Sequence, residues 1–269
     1  MPLFQYNGAT VHYGDAGSGD IVVLMHAAGS SGAQWRGVLP HLTGRYRVIT
    51  PDLYGHGRTD FWPDPDTLRH EDQAALLHAV LRDIGATSID LVGHSYGGTT
   101  ALRLMLQNPD LVRRFVIIEP MLLNLLVDAG EDDVLADLYT MAKGFLHNVE
   151  VRGPETAWKI FLDFRNGDGA WEGYPQKTRD NFLHRTQGHV ANLKSNMKNQ
   201  TPASELATIA TPTLAVKTQD ATGFDGRMVE ILADAMPDCT LVTLKGCGHM
   251  VPLTHPELAA EVILGHIAD

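Results

Sequence analysis

The sequence predicts an α/β fold: a mostly parallel central sheet with helices on both of its faces. Strands alternate with helices at both ends of the chain, and each strand is a near-continuous apolar run, as expected for a sheet buried on both faces. This alternation stops between residues 121 and 204, where only helical patterns are found. We therefore expect one core domain, residues 1–120 and 205–269, with an inserted helical lid at 121–204.

The first part of the core contains five apolar or β-rich runs that predict strands. Between them, apolar spacings near three and four residues predict helices. The first is interrupted near Pro40, the second ends at Gly85, and the third ends before Asn108 and Pro109, all residues that stop helices. The predicted strands are 12–13, 21–25, 47–49, 89–92 and 115–118, and the predicted helices are 33–42, 68–84 and 96–107.

The second part of the chain begins with the predicted lid. Two helical patterns, 134–146 and 154–164, are followed by a break at 166–169 that contains two glycines. The alternation then resumes with a strand at 212–216, a helix at 226–235, a strand at 240–244 and a last helix from Pro256. The segments before and after the insertion therefore belong to the same core domain.

Composition excludes several classes of function. The chain has 269 residues, 44% of them hydrophobic, and a formal net charge of −11. This charge disfavours binding to nucleic acid or to an anionic membrane, both of which need a basic surface. No run approaches the roughly 18 apolar residues of a membrane span. The first residues do not resemble a secretory signal, so we expect a cytoplasmic protein with reduced cysteines.

A glycine-flanked serine indicates nucleophilic catalysis. Ser95 lies in the run 93–98, Gly-His-Ser-Tyr-Gly-Gly, between an apolar strand and an amphipathic helix. A nucleophile on a sharp strand-to-helix turn needs room two residues before and after it, and Gly93 and Gly97 provide that room. The turn would also place backbone N–H groups of the following helix beside the hydroxyl, where an oxyanion develops.

A serine hydroxyl needs a general base, and His249 is the predicted one. It follows the strand at 240–244 in a Gly-Cys-Gly-His loop, so it should lie at the same carboxyl edge of the sheet as Ser95. His255 is close but starts the last helix, where a solvent-exposed or capping role is expected. Cys247 adjoins the base, but we interpret it as a small buried residue because the turn already holds a serine.

Four segments together resemble the α/β-hydrolase fold family over nearly the whole chain. They are residues 26–29 after a strand, residues 51–59, the Ser95 turn and the Gly248-His249 loop. The family has His-Gly where this chain has His26-Ala27. The resemblance implies that the backbone N–H groups of Ala28 and Tyr96 form the oxyanion hole. It also implies that His26, Asp52 and Arg58 are structural.

The third catalytic residue should be a carboxylate that orients His249 and stabilises its imidazolium form. Asp220 follows the strand at 212–216, where the resemblance places the acid, and it is our prediction. Asp225, in the same loop, and Glu119, at the end of the strand at 115–118, are the alternatives.

No metal or cofactor is expected. The sequence contains no His-Glu-x-x-His pair for zinc, no phosphate-binding Gly-x-x-x-x-Gly-Lys-Ser/Thr loop and no Gly-x-Gly-x-x-Gly after a strand. The predicted partner is a small-molecule substrate, and the oligomeric state stays open. Among the lid aromatics, Trp171 follows a glycine-rich break and is the candidate for a wall of the binding pocket.

The predicted activity is hydrolysis of a small carboxylic ester or lactone through an acyl-enzyme on Ser95. The resemblance implies that epoxide hydrolase and dehalogenase chemistry would need an aspartate at this position. Two alternatives stay open. One is hydrolysis of a carbon–carbon bond next to a ketone, and the other is a non-catalytic small-molecule receptor on the same fold.

Overall fold

The computed structural model describes residues 3–268. Their centre is one eight-stranded sheet with the strand order β1-β2-β4-β3-β5-β6-β7-β8. The first two strands pair antiparallel, as do β2 and β4, and all later neighbours are parallel. The strands are β1 Leu3–Tyr6, β2 Ala9–Gly17, β3 Asp20–Met25, β4 Tyr46–Pro51, β5 Ile89–His94, β6 Val112–Ile118, β7 Thr213–Thr218 and β8 Cys239–Leu244.

Helices cover both faces of this sheet, as the apolar strands require. Strand β3 shows the division: Val22 and Leu24 belong to the core on one face, whereas Val23 and Met25 belong to the core on the other. The predicted α/β fold is thus confirmed. The core helices are a 3₁₀ helix at Gly32–Gly37, α1 Leu39–Leu42, α2 His70–Asp83, α3 Tyr96–Gln107, α11 Gly223–Ala235, α12 Val251–Thr254 and α13 Pro256–Ile267.

Between β6 and β7 the described chain forms seven helices, which we call the inserted segment. Two of them, Asp132–Val151 and Pro154–Asn166, extend beyond the predicted helices at 134–146 and 154–164. An aromatic cluster that includes Trp158 and Phe145 forms the core of this segment. The helices are α4 Leu123–Asp128, α5 Asp132–Val151, α6 Pro154–Asn166, α7 Ala170–Gly173, α8 Gln176–His184, α9 Thr186–Lys198 and α10 Ala203–Leu206.

The parallel strands bring distant residues to one edge of the sheet. His94, at the end of β5, pairs in register with Ile118, at the end of β6. The next residue on each strand continues this alignment, because Ser95 N–H donates to Ile118 O at 2.9 Å. Ser95 and Glu119 therefore leave the sheet side by side. Across residues 3–268, the helices are too short or too polar to span a membrane.

Candidate active site

Ser95 occupies a strained turn between β5 and α3. Its φ is 54° and its ψ is −123°, a conformation that non-glycine residues rarely adopt. As predicted, a side chain at either flanking glycine would clash with neighbouring backbone atoms. A Cβ at Gly93 would lie 2.5 Å from Gly98 Cα, and a Cβ at Gly97 would lie 2.4 Å from His26 O. The turn therefore holds the serine at the end of the sheet by backbone packing on both sides.

Ser95 and His249 border the same cavity, which has a volume of about 440 Å³. Their side chains are largely buried beneath the inserted segment. Within the described residues the two side chains do not hydrogen-bond to each other, a contact that commonly forms only when substrate is bound. Ser95 on the strand-to-helix turn and His249 on a loop 154 residues later therefore lie at one site, as the sequence predicted.

Two residues with backbone amides unpaired within the described chain border this cavity together with the serine. Ala28 and Tyr96, the predicted oxyanion donors, both line it. The amides next to Ala28 are occupied: Ala27 N–H donates to Gln34 Oε1 at 3.1 Å, and Gly29 N–H donates to His56 Nε2 at 3.1 Å. For the amides of Ala28 and Tyr96, residues 3–268 provide no acceptor. Unoccupied N–H groups in this position are suited to stabilise a developing oxyanion.

The carboxylate that contacts His249 is Glu119. Its Oε2 lies 2.8 Å from His249 Nδ1, and its side chain is fully buried. The other oxygen, Oε1, accepts hydrogen bonds from Thr218 N–H and Thr218 Oγ1. Glu119 has a φ of 42°, so a second residue at this edge adopts a left-handed conformation. Both carboxylate oxygens are thus used, and the imidazole is held in one orientation.

Asp220, the predicted acid, lies elsewhere. Asp220 is exposed in the loop after β7, and its backbone N–H donates to Cys247 O at 3.1 Å. The loop follows the backbone of the histidine loop without bringing the carboxylate to the imidazole. The prediction of Asp220 as the partner of His249 is therefore corrected to Glu119, one of the two alternatives. Glu119 follows β6, two strands away from β8, and its carboxylate reaches His249 across the end of β7, where Thr218 holds Oε1.

Asp225, the other alternative, is also near the histidine. Its Oδ1 lies 3.8 Å from His249 Nδ1, beyond hydrogen-bond distance, and has no hydrogen-bond partner within residues 3–268. Its Oδ2 forms an ion pair with Arg165 of α6 at 2.8 Å and accepts a hydrogen bond from Thr222. Glu119, Asp225 and His249 each offer one atom that could coordinate a metal ion, and these three atoms lie within 4.8 Å of one another. Contacts within the chain already account for most of their oxygen and nitrogen atoms.

A buried network connects the loop of Ala28 to the loop of His249. Gln34 accepts from Ala27 N–H through Oε1, and its Nε2 lies 3.0 Å from His94 Nδ1. His94 Nε2 donates to the backbone oxygen of His249 at 2.8 Å. Burial lowers the pKa of His94 well below its usual value, so the ring is neutral. Sequence reasoning missed Gln34 and His94 as positioning residues. The only signal was His94 at the centre of the glycine motif.

His26 and Asp52, two of the three residues predicted to be structural, accept or donate buried hydrogen bonds within the chain. His26 accepts from Leu53 N–H through Nε2 at 3.1 Å and donates through Nδ1 to Ala27 O at 2.8 Å. Asp52 Oδ1 accepts from Gly32 N–H at 2.8 Å. Cys247 is 2% exposed, and burial raises the pKa of its thiol, which makes it a poor nucleophile.

Trp171 does not line the cavity, contrary to the prediction. Its ring is buried in the inserted segment, 6.3 Å from Phe182 by ring centroids, and Arg179 lies over it. The backbone of the short helix α7 is anchored to α6, because Trp171 N–H donates to Asp163 Oδ1 at 2.9 Å. The Trp, Phe and Tyr residues of the inserted segment that line the cavity are Trp158, Phe161, Tyr174 and Phe182.

Comparisons with known proteins agree with this fold. The family model of the alpha/beta hydrolase fold matches residues 20–256. The soluble epoxide hydrolase of Corynebacterium sp. (strain C12) is 25% identical over 284 residues, which is 97% of this chain and 95% of that protein. The 2-hydroxy-6-oxo-2,4-heptadienoate hydrolase of Pseudomonas putida is 36% identical over 115 residues, 41% of each chain.

Among solved structures, the enol-lactonase from Burkholderia xenovorans LB400 superposes with a TM-score of 0.80 at 19% identity, covering 100% of both chains. Likeness at this identity concerns the fold. Together with the family match over most of the sequence, it assigns the architecture, and the named relatives are hydrolytic enzymes. The chain therefore belongs to the alpha/beta hydrolase fold family and is a hydrolase.

Proposed function

We propose that the enzyme hydrolyses a small carboxylic ester or lactone through an acyl-enzyme on Ser95. The observation that carries the proposal is the combination of a strained, glycine-flanked serine and a histidine held by buried Glu119 on one cavity. A nucleophile, a base and an orienting acid are the groups that acyl transfer requires.

In the proposed mechanism, His249 takes the proton of Ser95 as Oγ attacks the substrate carbonyl carbon. Glu119 stabilises the imidazolium that forms, and the amides of Ala28 and Tyr96 stabilise the oxyanion. His249 then gives its proton to the leaving oxygen as the ester bond breaks. Water, deprotonated by His249, attacks the acyl carbon and releases the acid and Ser95. Each proton taken in one step is returned in the next.

The proposed substrate is small and largely apolar. The cavity of about 440 Å³ exposes mainly apolar surface, to which aromatic rings and methionines contribute, and its polar residues include two arginines. Apolar walls with few convergent polar groups are typical of small-molecule sites. Most of these walls belong to the inserted segment, and we propose that residues 121–204 form a lid that selects the substrate.

A serine nucleophile also supports the choice among hydrolase reactions. The relative from Corynebacterium is an epoxide hydrolase, but Ser95 is at the position where that chemistry would need a carboxylate. Carbon–carbon bond hydrolysis is the second candidate, favoured by the 36% identity to the heptadienoate hydrolase over 115 residues. Both candidates use Ser95. Only the substrate distinguishes them.

The test combines labelling with turnover. A serine-reactive fluorophosphonate should modify Ser95, as located by mass spectrometry, and the enzyme should hydrolyse p-nitrophenyl butanoate. His249→Ala is expected to slow labelling strongly while Ser95 remains in place. An adduct on Cys247 would contradict the assignment. Absence of both labelling and turnover would favour the receptor alternative, and turnover of a vinylogous diketone in place of esters would favour carbon–carbon cleavage.

A further inference from the structure

Two arginines of the inserted segment line the cavity, and they differ in their partners. Arg165 is neutralised by Asp225 at 2.8 Å. Arg185 donates through Nη1 to the backbone oxygen of Gly29 at 3.2 Å, and no carboxylate within residues 3–268 forms an ion pair with it. A guanidinium has several N–H donors, so most of those on Arg185 stay available.

His189 adds a second available group one helical turn further on. The backbone N–H of His189 donates to the backbone oxygen of Arg185 at 2.9 Å, which places the two side chains on the same face of α9. His189 is 2% exposed, it lines the cavity, and neither of its ring nitrogens has a hydrogen-bond partner within the described residues. Buried polar atoms are rarely left without partners, so the two ring nitrogens are suited to hydrogen-bond to a ligand or to water.

The two groups meet at the backbone of Gly29. Arg185 contacts its oxygen, and a Cβ at Gly29 would lie 3.8 Å from His189 Nδ1. Gly29 also follows Ala28, the proposed oxyanion donor. The available donors are therefore on the same cavity as the reacting serine, at a short distance along the chain from the site of oxyanion formation.

Electrostatics here favour an anion. Burial lowers the pKa of Arg185, but an arginine still carries its charge at neutral pH. Burial also lowers the pKa of His189 to about 3, so the ring is neutral and offers one N–H donor. Asp52 is the carboxylate that influences Arg185, but it already binds His12. A half-buried charge without a close counterion carries a desolvation cost, which an anionic ligand would relieve.

We infer that Arg185 and His189 form a subsite for a carboxylate group of the substrate. The inference rests on the proposed hydrolysis at Ser95 and makes its substrate an ester or lactone that bears a second, anionic end. A planar guanidinium matches a carboxylate in a two-point hydrogen bond, and the neutral imidazole supplies one more donor. Trp158, whose ring centroid lies 4.6 Å from that of His189, would pack on the hydrocarbon between the two ends.

The experiment compares two esters of equal chain length, p-nitrophenyl hydrogen adipate and p-nitrophenyl hexanoate. The wild-type kcat/KM should be at least about tenfold higher for the adipate. Arg185→Gln should lower the adipate-to-hexanoate ratio by about 10- to 100-fold, as expected when a hydrogen bond to a charged group is lost. Arg185→Lys keeps the charge without the planar fork and should retain part of the preference.

Arg179→Gln is the matched control. This arginine belongs to α8 of the same segment and lies over Trp171, 5.8 Å from the ring centroid, outside the cavity lining. Its loss removes one positive charge from the segment and should leave the ratio unchanged. An equal fall of the ratio in both variants would attribute the preference to general electrostatic attraction and overturn the subsite.

A binding measurement separates this inference from the proposed function. Calorimetric titration of Ser95→Ala with hexanoate and with hexanamide does not depend on turnover. We expect hexanoate to bind more tightly than hexanamide, and Arg185→Gln to abolish the difference. Equal binding of the two, or equal kcat/KM for the two esters, would refute the subsite even if Ser95-dependent hydrolysis is found. Ester hydrolysis that survives Ser95→Ala would refute the proposed function instead.

Discussion

Glu119 and His249 belong to elements 130 positions apart and are joined by a 2.8 Å contact between Oε2 and Nδ1. Thr218, at the end of the strand between them in the sheet, fixes the other carboxylate oxygen. The acid is thus positioned by the strand order β6-β7-β8, and its role can be tested by exchanging carboxylates for amides.

Glu119→Gln should lower kcat by about 10³- to 10⁴-fold, because an amide cannot stabilise the imidazolium and favours the wrong tautomer. Asp220→Asn is the matched control, and it should change kcat by less than about threefold since this side chain is exposed. Steady-state hydrolysis of p-nitrophenyl butanoate measures both. A large loss in Asp220→Asn with little loss in Glu119→Gln would restore the original assignment.

Asp225 provides a second carboxylate near the same nitrogen. With Oδ1 3.8 Å away and Oδ2 paired to Arg165, it should support the imidazolium through space only. We expect Asp225→Asn to lower kcat about 3- to 30-fold, less than Glu119→Gln, because the ion pair offsets part of the attraction.

The double variant Glu119→Gln/Asp225→Asn tests whether the two carboxylates act on the same group. If Asp225 partly replaces the missing acid, the double variant should lose about a further tenfold relative to Glu119→Gln. An unchanged rate would show that Asp225 only anchors Arg165 and that His249 depends on one carboxylate.

Backbone requirements made it predictable from the sequence that Ser95 and His249 lie on one cavity. Glycines at both sides of the serine and a histidine directly after a strand are local patterns, and parallel strands bring their ends together. The acid could not be chosen this way, since Asp220 and Glu119 both follow strands at the same edge. Their difference is exposure against burial, which depends on side-chain packing across β7. Trp171 was misplaced for the same reason: a local break in the sequence does not show which way a ring packs.

The glycine packing around Ser95 predicts a contrast between two substitutions. Gly97→Ala would place a Cβ 2.4 Å from His26 O and 2.8 Å from Met25 O, both backbone atoms that cannot move independently. We expect a loss of at least about 2 kcal/mol in unfolding free energy, with reduced activity. Gly144→Ala in α5 meets no atom within 4 Å and should stabilise by about 0.5–1 kcal/mol. Urea denaturation compares the two, and similar effects would contradict a specific steric requirement at the turn.

Buried neutral histidines predict how stability depends on pH. Burial lowers the pKa of His26 and His70 to about 4 and that of His56 and His189 to about 3. The unfolded chain, with histidine pKa values near 6.5, binds more protons than the folded chain in the interval between. The histidines therefore do not reduce the free energy of unfolding above about pH 6.5. Below that pH the free energy of unfolding falls as pH falls toward about 4.

His70→Gln should make this pH dependence less steep. His70 is hydrogen-bonded to Thr100 and Asn196, and each such histidine contributes up to about 1.4 kcal/mol per pH unit to the slope. Urea denaturation at several pH values between about 4.5 and 6.5 should show the slope of the variant reduced by about this amount. His147→Gln, at an exposed position on α5, should leave the slope as in the wild type. Should His70→Gln also leave it unchanged, His70 would take up its proton equally in both states, and its burial would not be the cause of acid sensitivity.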